Sequence, residues 1–493
     1  MTHDSLSSRA LALAPTQLYI AGAWRESANC ERFDVLNPAT GEVLAQVADG
    51  TEADGLAALD AAVAAQESWA RTAPRERGEL LRAAFERVHE LADEFAALMT
   101  LEMGKPLDQG LGEVTYGAEF LRWFAEEAVR INGRYTPSPE GNLRILTLKR
   151  PVGPCLFITP WNFPLAMATR KVGAALAAGC TTILKPAQLT PLTSLAFVKV
   201  LEEVGVPPGV VNVVPTESAR SVTGPIIADG RLRKLSFTGS TPVGQALMKE
   251  CADTMVRTSM ELGGCAPFVV FEDADLDAAV EAAHQTKLRN MGEACNAANR
   301  FYVHESLIEE FSDRLAESFA QLNVGDGLED GVDVGPIVSN EQRASIAELV
   351  EGARSQGAVV LTGGCEREGG GYFYEPTVVT ELAPDAELVT TEIFGPVAPI
   401  VPFATEDEVV EMCNASEMGL AGYVHTGSMS RALRLAERLE VGMLGINSST
   451  ISNAAAPFGG IKHSGVGREG GSEGIEEYLE TMFVGFTDPF ADA

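Results

Sequence analysis

The sequence predicts an α/β fold in which parallel sheets are covered by helices on both faces. Two stretches carry this. From residue 152 apolar strands alternate with helices: PCLFITP, LAMATRKVGAALAAG, TTILKP, a helix near 190–204, VVNVV, a short helix and LRKLSFTG. Such alternation builds a parallel sheet whose crossovers are helices. After 265 the pattern resumes with PFVVF, the helix DLDAAVEAAHQTKLRN, the strand RFYVH and a helix carrying Leu307, Ile308, Phe311, Leu315, Phe319 and Leu322. At 493 residues the chain is long for one domain, so two or three are expected.

The remaining elements follow in order. Residues 52–70 are Ala-rich, and from 75 to 101 Leu81, Phe85, Val88, Leu91, Phe95, Leu98 and Leu101 recur at three and four, which predicts one long amphipathic helix stopped by Gly104 and Pro106. A further helix runs from about 110 to 131 and ends at Asn132-Gly133. PSPEG then separates two alternating runs, the second being NLRILTLKRP, which read as an antiparallel excursion; TMFVGF (481–486) is a candidate companion strand. The turn GSTPVG (239–244) follows a strand and opens a helix, where free N–H groups and the helix dipole receive a diphosphate. A literal GxGxxG at Gly465, Gly467 and Gly470 lacks the preceding strand and reads as a glycine-rich loop. Residues 323–340 and 363–371 read as surface loops.

Composition narrows function. With 69 acidic against 37 basic residues the formal charge is −32, which disfavours nucleic acid and anionic membrane as partners. The N-terminal stretch has no apolar run of signal-peptide length and no segment reaches transmembrane length, so a cytoplasmic location is expected. Eight cysteines without a CxxC fit reduced thiols, and none of the six histidines stands with others at metal-ligand spacing, so no metal is expected.

The candidate chemistry centres on NMGEACNAANRF (290–301), which sets Cys295 after a Gly-containing turn. A lone loop cysteine is usually a small buried hydrophobe. Two other stretches alter that reading: TPWNFP (159–164) offers the amide of Asn162, and MELGG (260–264) offers the carboxylate of Glu261. A nucleophile, an oxyanion donor and a base are the parts acyl chemistry needs. The pair Gly263-Gly264 beside Glu261 suggests close backbone approach to a ligand.

Together PWNFP, LKPA (184–187), FTGS with Gly239 and Gly244, ELGG, GEAC, EIFGPV (392–397) and PFGG (457–460), in this order, resemble the aldehyde dehydrogenase superfamily from about residue 15 to the C-terminus. The resemblance implies a Rossmann-type cofactor domain (1–127 and 148–259), an α/β catalytic domain (260–465) and a small oligomerisation sheet (128–147 and 475–493) of a dimer or tetramer. It implies that Cys295 attacks the aldehyde, that Asn162 and the Cys295 N–H hold the developing oxyanion, and that Glu261 activates the water that releases the acid. Cys265 is a possible rival nucleophile, but its strand context favours a buried role. Glu261 speaks against a coenzyme-A-acylating relative. The cofactor set implied by the same likeness is Thr159, Pro160, Trp161, Lys185, Gln188, Gly239, Ser240, Gly244, Leu262, Glu392 and Phe394, with Glu392 on the nicotinamide-side ribose and Lys185 on the adenosine ribose.

Arg170 after PWNFP, Arg289 six residues before the nucleophile and Ser452 before PFGG resemble the positions that receive the distal carboxylate in succinic semialdehyde dehydrogenases. The expected substrate is therefore a small anionic aldehyde, succinic semialdehyde oxidised to succinate, with another carboxylate-bearing aldehyde such as glutarate semialdehyde an alternative because one methylene discriminates by only about 1–3 kcal/mol. A catalytically silent protein on the same scaffold is the alternative from another class. Where NAD-preferring relatives commonly carry Glu, this chain has Gln188, which points to NADP preferred with NAD possible. The family's frequent second cysteine, two residues past the nucleophile, is Ala297 here, which excludes a Cys295 disulfide to that position.

Overall fold

The computed structural model describes residues 3–367 and 369–490; the extreme termini and one position of the 363–371 loop lie outside the described residues. Five parallel strands form the middle of the first sheet in the order Val211–Val213, Thr182–Lys185, Cys155–Ile158, Lys234–Thr238, Arg257–Glu261. In chain order this is 3-2-1-4-5, so the winding reverses between Cys155–Ile158 and Lys234–Thr238. Open sheets of this type receive ligands at the carboxyl ends of the strands flanking that reversal. TPWN and GSTPVG, the turns expected to contact ligand, leave those two strands. Antiparallel strands close the sheet: Leu18–Ile20 and then Ala23–Arg25 on one side, and on the other the short strand Gly465–Val466, which pairs with Met260 and Glu261.

A second sheet of seven strands, all parallel except its edge Val359–Thr362, contains Ala266–Val270 and Ala298–His304 at its centre. Leu479–Thr487, Leu143–Pro151 and Arg134–Pro137 form a separate antiparallel sheet, which bears out TMFVGF as the companion of the excursion. Tyr135, Phe483 and Phe486 are exposed on it, with the Tyr135 and Phe486 rings stacked on one face at 6.2 Å and Phe483 on the other. Among the described residues no helix is long and apolar enough to cross a membrane.

Two expectations change. The helix expected over 75–101 is two, Pro74–Glu90 and Ala92–Met103, parted at Leu91. The first buries one stripe, whereas the second is buried from Phe95 to Met103; the chain bends so that the second enters the core, with Asp93 and Glu94 at its new N-terminus, the favourable end for negative charge. The 323–340 stretch is irregular but not all surface: Val334, Ile337 and Val338 are buried. Gly335 allows the close approach, since a Cβ there would sit 1.9 Å from the Gly104 carbonyl oxygen.

Candidate active site

A cavity of about 280 Å³ lies where the two sheets meet, and it collects residues from six stretches, Gln342 and Ser345 of the helix Asn340–Ser355 among them. Pro160, Trp161 and Asn162 enter from the first strand of the reversal, Gly239 and Ser240 from the second. Glu261 and Leu262 come from the edge of the same sheet, Cys295 from the turn before Ala298–His304, and Glu392 with Phe394 from the second sheet's side. Thr159, Lys185, Gln188, Gly244, Arg170, Arg289 and Ser452 do not line this cavity.

The turn before Cys295 is strained and braced. Asn290 and Met291 both adopt left-handed backbone, with φ of 56° and 54°, at a cost on the order of 1–3 kcal/mol each. The Asn290 N–H donates to Gln109 Oε1 at 2.6 Å, and its side-chain amide donates to the carbonyls of Asn162 (3.1 Å) and Glu293 (2.9 Å). Asn162 Nδ2 donates to the Glu293 carbonyl at 3.0 Å, so the two loops are tied together two residues before the thiol. Cys295 is partly exposed. Loss of water around the thiol pushes it up to about 12, with Arg170 acting in the opposite direction. The resting thiol is therefore protonated and needs a proton acceptor.

The cavity also holds two carboxylates. Glu261 is buried, and neither carboxyl oxygen has a hydrogen-bond partner among the described residues. Burial first, then the neighbouring Glu469, holds it well above the usual carboxylate range. Glu392 Oε1 accepts from the Gly264 N–H at 2.9 Å, and burial moves its carboxyl up to about 7. The glycine pair has a different cause from the one expected: a Cβ on Gly263 would stand 2.5 Å from Glu392 Oε2, and one on Gly264 2.5 Å from the Cys295 carbonyl oxygen. The close approach is to the site's own groups.

Behind Glu261 lies a buried charge cluster that the sequence did not announce. Arg170 Nε stands 2.5 Å from Glu469 Oε2, and the Lys171 ammonium donates to Glu469 Oε1 and, at 2.9 Å, to Ser236 Oγ. Arg170 is 1 % exposed, with its guanidinium 4.2 Å from the centre of the Phe458 ring. Arg170, expected to receive a substrate carboxylate, has its charge engaged by Glu469 behind the cavity wall, while its field reaches Glu261 and Cys295. Glu469 falls in the glycine-rich loop set aside as a false dinucleotide motif. A charged residue between positive-φ glycines, Gly467 and Gly470, was the available signal.

Arg289 and Ser452 meet elsewhere. The Arg289 guanidinium lies 5.1 Å from the Phe163 ring centre and 5.6 Å from that of Tyr116, and the Tyr116 hydroxyl hydrogen-bonds Ser452 Oγ. Phe163 lines the cavity, so this cluster stands beside the thiol chamber. Arg289 is exposed and has no ionic partner among the described residues. Sequence reasoning missed Tyr116, which sits mid-helix in Leu107–Glu127.

The sheet also decides which helix end is free for an anion. Glu113 accepts from the N–H groups of Leu165 and Ala166 at the start of Pro164–Ala178, and Glu102 accepts from those of Leu192 and Thr193 at the start of Pro191–Glu203. Thr241–Ala252, following GSTPVG, has no side-chain cap, and Gly244 on it packs against Leu262, where a Cβ would meet Leu262 at 2.5 Å. Lys185 is buried without an ionic partner among the described residues, and burial lowers its ammonium to about 8. An uncapped helix start and an unpaired ammonium on one sheet fit a dinucleotide. Gln188 is exposed at the rim of a groove of about 660 Å³ that Glu217 also lines.

A 3-2-1-4-5 parallel sheet meeting a second α/β sheet over a thiol, an amide and two carboxylates defines a dinucleotide-type enzyme class with a cysteine in its cavity. The aldehyde dehydrogenase family profile matches residues 24–484, and the chain belongs to that family. It is 57% identical over 91% of its length to the whole of a succinate-semialdehyde dehydrogenase from Paenarthrobacter nicotinovorans. It is 48% identical over 95% of its length to 97% of a glutarate-semialdehyde dehydrogenase from Pseudomonas putida. The structure of an NADP-dependent enzyme from E. coli superposes with a TM-score of 0.95 at 44% identity, covering 97% of this chain and 99% of the other.

Proposed function

We propose that the protein oxidises succinic semialdehyde to succinate, using NADP in preference to NAD. The observation that carries the substrate reading is Arg289, an unpaired cation over Phe163 and Tyr116 with Ser452 adjacent, placed to receive a carboxylate while the aldehyde end enters the chamber. The Paenarthrobacter and Pseudomonas relatives support a semialdehyde, and the E. coli structure supports NADP.

In this reading the Cys295 thiol passes its proton to the solvent to which it is partly open, and its sulfur adds to the aldehyde carbon, with the Arg170 charge favouring the thiolate. The Asn162 amide, held by the Glu293 carbonyl, and the Cys295 N–H meet the oxyanion of the thiohemiacetal. Gly239, Ser240 and Gly244 at the free helix start, Thr159, Pro160, Trp161, Lys185 and Gln188, and Leu262, Glu392 and Phe394 hold the dinucleotide. The chemistry the cofactor would supply when bound is acceptance of the hydride whose loss turns the thiohemiacetal into a thioester. Glu261 then takes a proton from water, which attacks the thioester and frees Cys295. A carboxyl with a raised pKa is the stronger base once ionised.

The domains expected from the sequence are retained, with 465–466 joining the cofactor sheet. The exposed aromatics of the three-stranded sheet make it the surface for self-association as a dimer or tetramer, which sedimentation of a Phe483→Ser variant tests. We place the protein in the cytoplasm. The functional reading is tested by initial rates of nicotinamide reduction for a panel of aldehydes with both cofactors. Succinic semialdehyde with NADP is expected to lead, and a lead by uncharged aldehydes overturns the reading.

A further inference from the structure

We propose that the buried pair Lys105 and Glu113 is a positioning device for the reaction, holding the Asn162 peptide so that the Asn162 amide faces the oxygen that gains charge. This rests on the reading of Asn162 as the oxyanion donor. The side chains are 1 % and 0 % exposed. Gly104 ends the preceding helix in left-handed backbone, φ 99°, and Lys105 then turns into the core. Its ammonium meets the Glu113 carboxylate, lies 4.4 Å from the centre of the Phe163 ring and donates to the Asn162 carbonyl oxygen at 3.0 Å. Glu113 Oε1 accepts from the N–H groups of Leu165 (2.9 Å) and Ala166 (3.1 Å). One ion pair thus grips the chain at Asn162 itself and again three and four residues later, in the first turn of the helix. Asn290 adds a second donor to the same Asn162 carbonyl, so the peptide has no freedom to rotate away from the Cys295 turn.

The molecule contains its own control. Glu102 caps a second helix, Pro191–Glu203, through Leu192 and Thr193, and has no ionic partner among the described residues. Capping alone therefore does not require Lys105. A buried ion pair is also a poor source of stability, since well-packed apolar residues of similar volume are often as good or better. What Lys105 adds is the bond to the Asn162 carbonyl, and its consequence is orientation of an amide that must meet a charge forming in the transition state.

The single variant Lys105→Met strands a buried carboxylate and risks the fold, so the decisive variant is Lys105→Met with Glu113→Gln, which removes both charges and leaves an oxygen to accept from the helix. The measurements are kcat, the rate of the first hydride burst and cofactor Kd, each repeated in an Asn162→Ala background. The expected result is a roughly 10- to 100-fold fall in kcat and burst rate with cofactor Kd within about twofold, and a further loss of under about threefold once Asn162 is Ala. An unchanged kcat in the paired variant overturns the proposal. If Asn162→Ala is impaired and the paired substitution adds its full effect on top, the positioning proposal alone is overturned. If Asn162→Ala turns over normally, the donor reading falls and the proposal with it.

Discussion

Arg170 and Glu469 form a buried ion pair, Nε to Oε2 at 2.5 Å, directly behind the carboxyl of Glu261. Lys171 joins the same carboxylate, so Glu469 is shared between two buried cations. This makes Glu469 the keystone of the cavity's rear wall, and its charge acts on Glu261 from behind.

Glu469→Gln leaves Arg170 and Lys171 buried with half their partner gone, and a loss of about 3–5 kcal/mol is expected, the usual cost of breaking one side of a buried pair. Burial alone would raise the Glu469 carboxyl, but Lys171 and then Arg170 bring it down to about 2. A depressed carboxylate contributes stability above its unfolded value of about 4.3, and that contribution fades as pH falls toward the folded value. Urea unfolding from pH 6 to pH 3 should therefore show a steeper acid loss in the parent than in Glu469→Gln. Parallel pH curves for the two chains contradict the assignment.

Glu261 has the opposite sign. Its carboxyl is raised, so the folded chain keeps a proton that the unfolded chain releases above about pH 4.3, and stability falls as pH rises through that range. Glu261→Gln removes this penalty, and the ligand-free variant should resist urea better than the parent at pH 7. With substrate and cofactor it should give a single burst of hydride transfer and little turnover, because thiol addition precedes the step that needs the base. Undiminished steady turnover rules out Glu261 as the base.

Cys295→Ala should lose all aldehyde oxidation and keep cofactor binding, since only the covalent step is removed. Cys265→Ala should remain active. Cys265 is buried, its sulfur accepting from Asn299 Nδ2 at 3.1 Å and facing the carbonyls of 389–391, which is a packing role. Mass spectrometry after a trapped turnover locates the acyl group, and an adduct on Cys265 reverses the two roles.

Cofactor choice turns on Gln188. A carboxylate at ~5 Å from a phosphate charge costs roughly 3 kcal/mol at an effective dielectric of ~20, and the exposure of Gln188 lets solvent screen part of it. Gln188→Glu should shift the ratio of kcat/KM toward NAD by about tenfold. A parent that prefers NAD tenfold, or a ratio untouched by the substitution, contradicts the cofactor reading.

The parallel strands were legible because strands covered on both faces read as unbroken apolar runs, as in PCLFITP and PFVVF. The convergence of Cys295, Asn162, Glu261 and Glu392 on one cavity was legible from motif order, and the structure brings them together. What stayed hidden is long-range pairing of charges. Lys171 and Glu469 are 298 positions apart, and no local pattern marks an arginine as spoken for, so Arg170 was read as free. Tyr116 was hidden for a related reason: in Leu107–Glu127 it is one aromatic among several on an amphipathic helix, and only the fold sets it against Ser452. The break at Leu91 was masked by an apolar period that continues through both helices.

The distal carboxylate is the centre of the functional account, and one comparison isolates it: kcat/KM for succinic semialdehyde relative to butyraldehyde, in the parent and in Arg289→Ala. The parent should favour the charged aldehyde, and Arg289→Ala should cut that preference roughly tenfold or more by removing a charge-assisted contact, with butyraldehyde nearly unaffected. Arg170→Ala, by contrast, should depress both substrates together, because its guanidinium is bound to Glu469. Equal losses on the two aldehydes in Arg289→Ala, or a parent indifferent to the carboxylate, contradict the account.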